Sequence, residues 1–290
     1  MYAITGITGQ VGGTLARTLL AAGRDVRAAV RDAAKGAHWA AQGCEVALAE
    51  LTDVPAMIKA FSGTEGVFIL LPPAFDPKPG FPAARRIIAA VREALDMAGP
   101  KKVVALSTIG ADAEQPNLLN QLRVMEEQLS TLEMPVTFLR AGWFMENARW
   151  DIDAAKAGAI SSYLQPASRA IAMISTADVG RTAAELLQEE WKGRRVVQLE
   201  GPRRVSPDDI AAAFAQLLGR EVKVDTVPRA AWEDIFRGQG MENPLPRMQM
   251  LDGFNAGWID FAHNGRDARK GSVGIEAALR AMLDEQASTM

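Results

Sequence analysis

The 290-residue sequence is poor in the groups that most enzymes use for chemistry: it has one cysteine, two histidines and two tyrosines. One cysteine excludes an internal disulfide and any multi-cysteine metal site. Cys44 lies in Cys44-Glu45-Val46-Ala47-Leu48, which alternates like a strand, so its expected role is that of a small buried apolar residue. His38 and His263 are isolated and point to surface or structural positions, and no metal is expected. Charge of one sign is also lacking. Lys and Arg number 32 against 35 Asp and Glu, a formal net charge of −3, so no basic field attracts nucleic acid or anionic lipid. No apolar run reaches the roughly 18 residues needed to span a bilayer. The glycine motif beginning at Gly6 leaves no room for a signal peptide before it, and a cytoplasmic location is expected.

Several catalytic signatures are missing as well. Ketone-reducing short-chain dehydrogenases use a Tyr-x-x-x-Lys pair, in which lysine lowers the tyrosine pKa for proton transfer. Here Tyr2 falls in the first apolar run, and Tyr163 is followed four residues later by Ala167. No Gly-x-Ser-x-Gly elbow, His-Glu-x-x-His or Gly-Lys-[Ser/Thr] loop occurs, which excludes the hydrolase and metalloprotease readings.

What is present is a β-α rhythm. Tyr2–Thr5, Val26–Val30, Val46–Leu48, Val67–Leu71, Val103–Leu106 and Val136–Leu139 read as strands, separated by helical patterns around 11–22, 33–42, 53–61, 81–98 and 117–132. The unbroken apolar run Val67-Phe68-Ile69-Leu70-Leu71 suits a strand covered on both faces. The expected fold is therefore α/β, a Rossmann-type doubly wound parallel sheet over residues 1–141. Past residue 142 helices near 144–157, 177–190, 207–218 and 273–285 surround two strands, Val196–Leu199 and Glu221–Val224. That composition predicts a smaller C-terminal α+β lobe over 142–290. Ser175-Thr176-Ala177-Asp178 and Ser206-Pro207-Asp208-Asp209 look like helix starts. The stretch 228–266 has no readable period.

Gly6-Ile7-Thr8-Gly9-Gln10-Val11-Gly12 joins the first strand to the first helix. A dinucleotide pyrophosphate must approach the backbone there, and the helix start offers it free N–H groups and a positive dipole. Gly6, Thr8, Gly9, Gln10, Val11 and Gly12 are thus candidate cofactor contacts. Where an NAD-specific site places an acid after the second strand, this chain has Arg31, with Lys35 nearby, cations suited to the 2′-phosphate of NADP. Asp32 leaves a second reading open, since it could hold a ribose hydroxyl or repel that phosphate. NADP(H) is the preferred cofactor, with NAD(H) the alternative. Asp53 suits either an adenine contact or a helix cap.

The blocks Thr5 to Gly12, Val30 to Lys35, Ser107-Thr108-Ile109-Gly110-Ala111, Phe138 to Asn147 and Ala177-Asp178-Val179-Gly180 together resemble the NmrA-like family of atypical short-chain dehydrogenases. The resemblance implies NADP(H) or NAD(H) at the first motif and the arginine on the 2′-phosphate. It also implies one of two roles: reduction of quinones or azo compounds, or redox sensing without chemistry. The family's basic residue on the helix after the fifth strand, upstream of a glutamate matched by Glu126, is replaced here by the neighbourhood Asn120-Gln121-Leu122.

The expected substrate cleft lies at the C-terminal ends of the strands. Leu71, Pro72 and Ser107 are its cofactor-side candidates, and Ser107 and Thr108 the candidate hydroxyls for proton delivery. Trp143, Phe144 and Asn147 are candidate contacts to a flat aromatic substrate. Core packing is the competing role for Trp143 and Phe144, and a strand-end cap that for Ser107. The loop Pro72 to Gly80 is a rigid spacer or a lid. A protein partner is expected only if the chain is a sensor.

Overall fold

The computed structural model describes residues 1–289. The chain begins with β1 (Tyr2–Thr5), α1 (Gln10–Ala21), β2 (Val26–Val30), α2 (Ala33–Ala40), β3 (Glu45–Leu48), α3 (Val54–Phe61), β4 (Gly66–Ile69) and α4 (Pro82–Ala98). It continues through β5 (Val103–Thr108), α5 (Asn120–Leu129), β6 (Val136–Ala141), β7 (Trp143–Phe144), a 3-10 turn (Met145–Asp151), α6 (Ile152–Ala157), β8 (Ala159–Ser162), β9 (Met173–Ile174) and α7 (Thr176–Gln188). Then follow β10 (Arg194–Glu200), α8 (Pro207–Leu218), β11 (Lys223–Thr226), α9 (Trp232–Gly238), α10 (Leu245–Ala256), β12 (Arg269–Lys270) and α11 (Ile275–Thr289).

Eight strands form one sheet in the order β12-β10-β6-β5-β4-β1-β2-β3, and every pairing is parallel. This is the doubly wound Rossmann-type arrangement. One face packs on α1 and α7, joined by Trp39 of α2, through Ile4, Phe68, Val104, Leu15 and Val179. The other packs on α3, α4 and α5 through Ala3, Val67, Ile69, Ala105, Phe61, Val91 and Leu129. Val67, Phe68 and Ile69 are fully buried, and each large side chain removed from water contributes about 1.5–3 kcal/mol. A third core, built around Phe214, Trp232, Phe236 and Leu251, fills the lobe.

Four sequence expectations change. β4 ends at Ile69 because the Leu70 amide donates to the Thr5 hydroxyl at 2.9 Å, a side chain in place of a ladder carbonyl. The helix expected from 144 is delayed because Phe144 pairs with Ile174 as extended chain, and a tight 3-10 turn precedes α6. The unreadable stretch 228–266 contains α9 and α10. Met248, Met250, Leu251, Gly253 and Phe254 of α10 are all buried, so no single apolar stripe marks this helix. The layers also ignore the division at 141/142: α7, β10 and β12 belong to the large sheet and its cover, while the lobe keeps α6, α8 to α11 and the β8–β11 pair. No helix of the described residues is long and apolar enough to cross a membrane.

Candidate functional site

The turn between β1 and α1 is built for close approach. Gly6 has φ +66°, and the Gly9 amide donates back to its carbonyl at 3.0 Å. A Cβ on Gly12 would lie 2.3 Å from the Gly6 oxygen, so only glycine lets α1 begin this close to the turn. Gly9 provides no side-chain cap, and the first turn of α1 contains no acid. Its leading N–H groups are left for an external anion. Thr8, Gly9 and Gln10 are exposed and Val11 is buried; the Thr176 hydroxyl at the start of α7 donates to Gln10 Oε1 at 3.3 Å. A dinucleotide pyrophosphate fits this donor set.

Arg31 and Lys35 are exposed, and among the described residues neither has a hydrogen bond or ion pair. Asp32 is turned to its own helix: Oδ1 accepts from the Ala34 N–H at 2.8 Å as the N-cap of α2. The Asp53 carboxylate does the same for α3, accepting from Ala56 N–H at 3.0 Å.

At the C-terminal end of the sheet Leu71 is half-buried and Pro72 exposed, both past the end of β4. Ser107 is 3% exposed and its hydroxyl donates to Glu126 Oε1 at 2.5 Å. Glu126 also receives Arg140 Nε at 2.9 Å and Nη2 at 2.6 Å, while Arg140 Nη1 reaches Asp112 at 2.5 Å. Burial opposes the Arg140 charge, but the two carboxylates more than offset it and raise the guanidinium pKa. The Ser107 proton is therefore committed to Glu126, and the half-buried Thr108 is the less encumbered hydroxyl at the strand end. Asn120 and Gln121 are occupied too: Gln121 Nε2 donates to Ala74 O and Leu118 O, and Asn120 Nδ2 to Ala113 O.

The loop after β4 is more than a spacer. Asp76 accepts from the backbone N–H groups of Glu242 at 2.8 Å and Asn243 at 2.6 Å, so it ties the sheet to the lobe. Those two amides hold its carboxyl below the ordinary range. Trp143 is half-buried and meets Phe254 of α10 edge-on, with centroids 5.3 Å apart. Phe144 packs partly into the α1-side core, and Asn147 is exposed. Tyr2 is buried in β1, while Tyr163 packs in the lobe against Trp232 and Phe236. His38 bonds to Gln42 and His263 faces Asp267, both on the surface. No cluster of three or more His, Cys, Asp or Glu among the described residues could hold a metal ion.

Sequence reasoning missed the Ser107–Glu126–Arg140–Asp112 network, whose members are spread over residues 107 to 140. Ser107 and Glu126 are each singled out, but nothing local in the sequence joins them to Arg140 and Asp112. It also missed the work of Asp178. Burial pushes that carboxyl up, but hydrogen bonds from Val273, Arg181 and Ser272 overcome this and hold it low. Asp178 thus stitches the segment before α11 to α7.

A parallel sheet with a glycine turn, an uncapped helix start and unpaired cations beyond the second strand defines a dinucleotide-binding Rossmann protein. Residues 6–190 match the NAD(P)H-binding family, and the chain belongs to it. It binds NAD(P)H. The NAD(P)H azoreductase of Xenophilus azovorans is 26% identical over 246 residues, covering 84% of this chain and 83% of that protein. Quinone oxidoreductase 2 of Escherichia coli K12 is 27% identical over 251 residues, covering 86% and 85%. Among solved structures, the Citrobacter sp. triphenylmethane reductase superposes with a TM-score of 0.82 at 21% identity, covering 98% of this chain and 99% of that one. The E. coli NADPH-dependent quinone oxidoreductase complexed with NADPH gives 0.79 at 24% identity, covering 98% and 100%.

Proposed function

We propose that the protein is an NADPH-dependent reductase that passes a hydride to a quinone or a similar electron-poor aromatic, working in the cytoplasm. The observation that carries this reading is that three features follow the C-terminal ends of parallel strands, at the C-terminal edge of the sheet: an uncapped α1 after β1, unpaired Arg31 and Lys35 after β2, and Trp143 after β6. The azoreductase and quinone oxidoreductase relatives support it.

The first-turn N–H groups of α1 would hold the pyrophosphate. Arg31 and Lys35 would hold the 2′-phosphate, by charge-assisted hydrogen bonds that NADH cannot make. With Asp32 engaged at the α2 cap, no carboxylate competes strongly for that place. Bound NADPH supplies the hydride. Trp143 orients the acceptor ring, and such positioning supplies much of the rate when the acceptor is already electron-poor. A quinone takes the hydride on one side and a proton on oxygen, giving the hydroquinone and NADP⁺. Tyr2 is buried in β1, Tyr163 packs on Trp232 and Phe236 with no lysine four residues on, and the Ser107 proton is committed, so water or Thr108 supplies that proton. Loss of reduced-nicotinamide absorbance with a quinone panel, faster with NADPH than NADH, is the expected result. A flat trace with every quinone, cofactor bound, would refute the reductase reading.

One observation favours a second reading, a non-catalytic dinucleotide sensor: the absent Tyr-Lys pair and the engaged Ser107 leave no dedicated acid. A sensor would bind NADPH and NADP⁺ with different affinity and oxidise nothing, which calorimetry with both forms distinguishes.

A further inference from the structure

We propose that Arg247 is an anion seat at the outer end of the aromatic wall, so that the preferred ligands of the cleft are aromatics bearing a carboxylate or sulfonate. The redox part of this inference rests on the reductase reading; the binding part stands by itself.

Arg247 is the odd arginine in the molecule. Every other partly buried arginine among the described residues, from Arg27 to Arg269, has a carboxylate oxygen within 4.0 Å. Arg247 has none. Its recorded contacts are Met241 Sδ at 3.7 Å from Nη1 and the Phe236 ring, 4.5 Å from the guanidinium carbon to the centroid. A thioether is a weak acceptor and an aromatic face offers no counter-charge. Burial lowers the guanidinium pKa, and the one titratable neighbour that bears on it is the Tyr163 phenol. A guanidinium stays charged in proteins, so a full positive charge stands half-buried with no carboxylate against it. The nitrogens without a partner are open to solvent, since none is sealed away.

Its place in the fold sets this charge on the α10 stripe that also carries Phe254. Arg247 and Phe254 are seven residues apart on α10, two turns along one stripe and about 10 Å in rise. Phe254 is the residue that meets Trp143. The start of α10 is also held against both loops that leave the sheet at this edge. Leu118, from the loop after β5, donates its N–H to Pro246 O at 2.9 Å, and Asp76, from the loop after β4, accepts from Glu242 and Asn243. On this proposal an aromatic seated beside Trp143 carries its anionic group along the α10 stripe from Phe254 to Arg247. Phe236 and Met241 hold the side chain in place, which lowers the ordering cost of the contact.

The experiment pairs 1,2-naphthoquinone-4-sulfonate with 1,2-naphthoquinone as acceptors, and naphthalene-2-sulfonate with 2-naphthol as redox-inert ligands for calorimetry on the NADP⁺-loaded protein. Arg247→Leu, which keeps the packing on Phe236, should weaken naphthalene-2-sulfonate about 10- to 100-fold, the range of one charge-assisted contact. It should raise KM for the sulfonated quinone by a similar factor, leave both neutral compounds within about 2-fold, and Arg247→Lys should restore most of the loss. Sulfonate binding that Arg247→Leu leaves unchanged would overturn the anion seat. If that variant does not fold, wild-type naphthalene-2-sulfonate affinity that is insensitive to salt would overturn it equally. The two readings fail separately. Arg247-dependent sulfonate binding without turnover of either quinone sinks the reductase, and turnover of both quinones with equal KM sinks the seat.

Discussion

Among the described residues Arg31 and Lys35 make no hydrogen bond or ion pair, whereas Asp32 beside them already serves the α2 cap. On the proposed 2′-phosphate role, Arg31→Ala should cost about 10- to 100-fold in preference for NADPH over NADH, read as a ratio of kcat/KM values. Glu126 is a different kind of residue. It satisfies Ser107 and Arg140 together, so Glu126→Ala would leave a largely buried guanidinium with Asp112 alone. A loss of about 2–4 kcal/mol in denaturant unfolding is expected, larger than for a surface pair. Asp151 gives a pH signature. Burial pushes its carboxyl up to about 6, and it has no hydrogen bond or ion pair among the described residues. Because the folded-state value lies above the unfolded one, the group favours the fold while protonated. That contribution is complete below about pH 4 and is lost as pH rises through about 6. Asp151→Asn should therefore melt higher than wild type at pH 8, and the gap should close near pH 4.

At the scale of elements the glycines of α1 and α7 carry the argument. A Cβ on Gly180 would stand 2.7 Å from Thr14 Cβ and from Val11 O, so the helices touch backbone to backbone. Gly180→Ala should cost about 1–3 kcal/mol by overpacking. Gly12→Ala should go further, because the obstruction is the Gly6 carbonyl and no side chain can yield; NADPH affinity should fall about 100-fold by fluorescence titration. These contacts also explain what could be read from sequence. The strands of the sheet and the glycine turn announce themselves through local period and spacing, because each is specified by residues near one another in the chain. Asp32 could not be assigned, since a cap and a ribose contact use the same residue type at the same place. Ser107 read as a free hydroxyl because its partner, Glu126, sits on the following helix, and Arg247 drew no notice because an unpaired arginine is defined by what surrounds it in space. α10 was invisible for another reason: its outward stripe, 245/249/252/256, begins and ends on the apolar Leu245 and Ala256, so apolar residues fall on both faces and set no period.

At the scale of the whole molecule, sheet and lobe are tied together by loop contacts. Two hydrogen bonds donated by the Glu242 and Asn243 backbone N–H groups to Asp76 link the loop after β4 to the lobe, with Gln121 bracing the same loop at Ala74. Asp76→Ala should leave NADPH affinity unchanged, raise the quinone KM about 3- to 10-fold, and speed proteolytic cleavage within residues 72–80, since two modest hydrogen bonds are lost at an exposed place.

The pairing of α1 with α7 has a consequence for how the chain is made. Val11, Leu15 and Leu19 bury against Val179, Ala183 and Leu186, which lie more than 150 residues further along the chain. On a ribosome adding about 5–20 residues each second, the apolar side of α1 waits roughly 10–30 s for its cover. During that interval the nascent chain presents the surface on which its NADPH turn will later rest, and a holding chaperone has its natural foothold there.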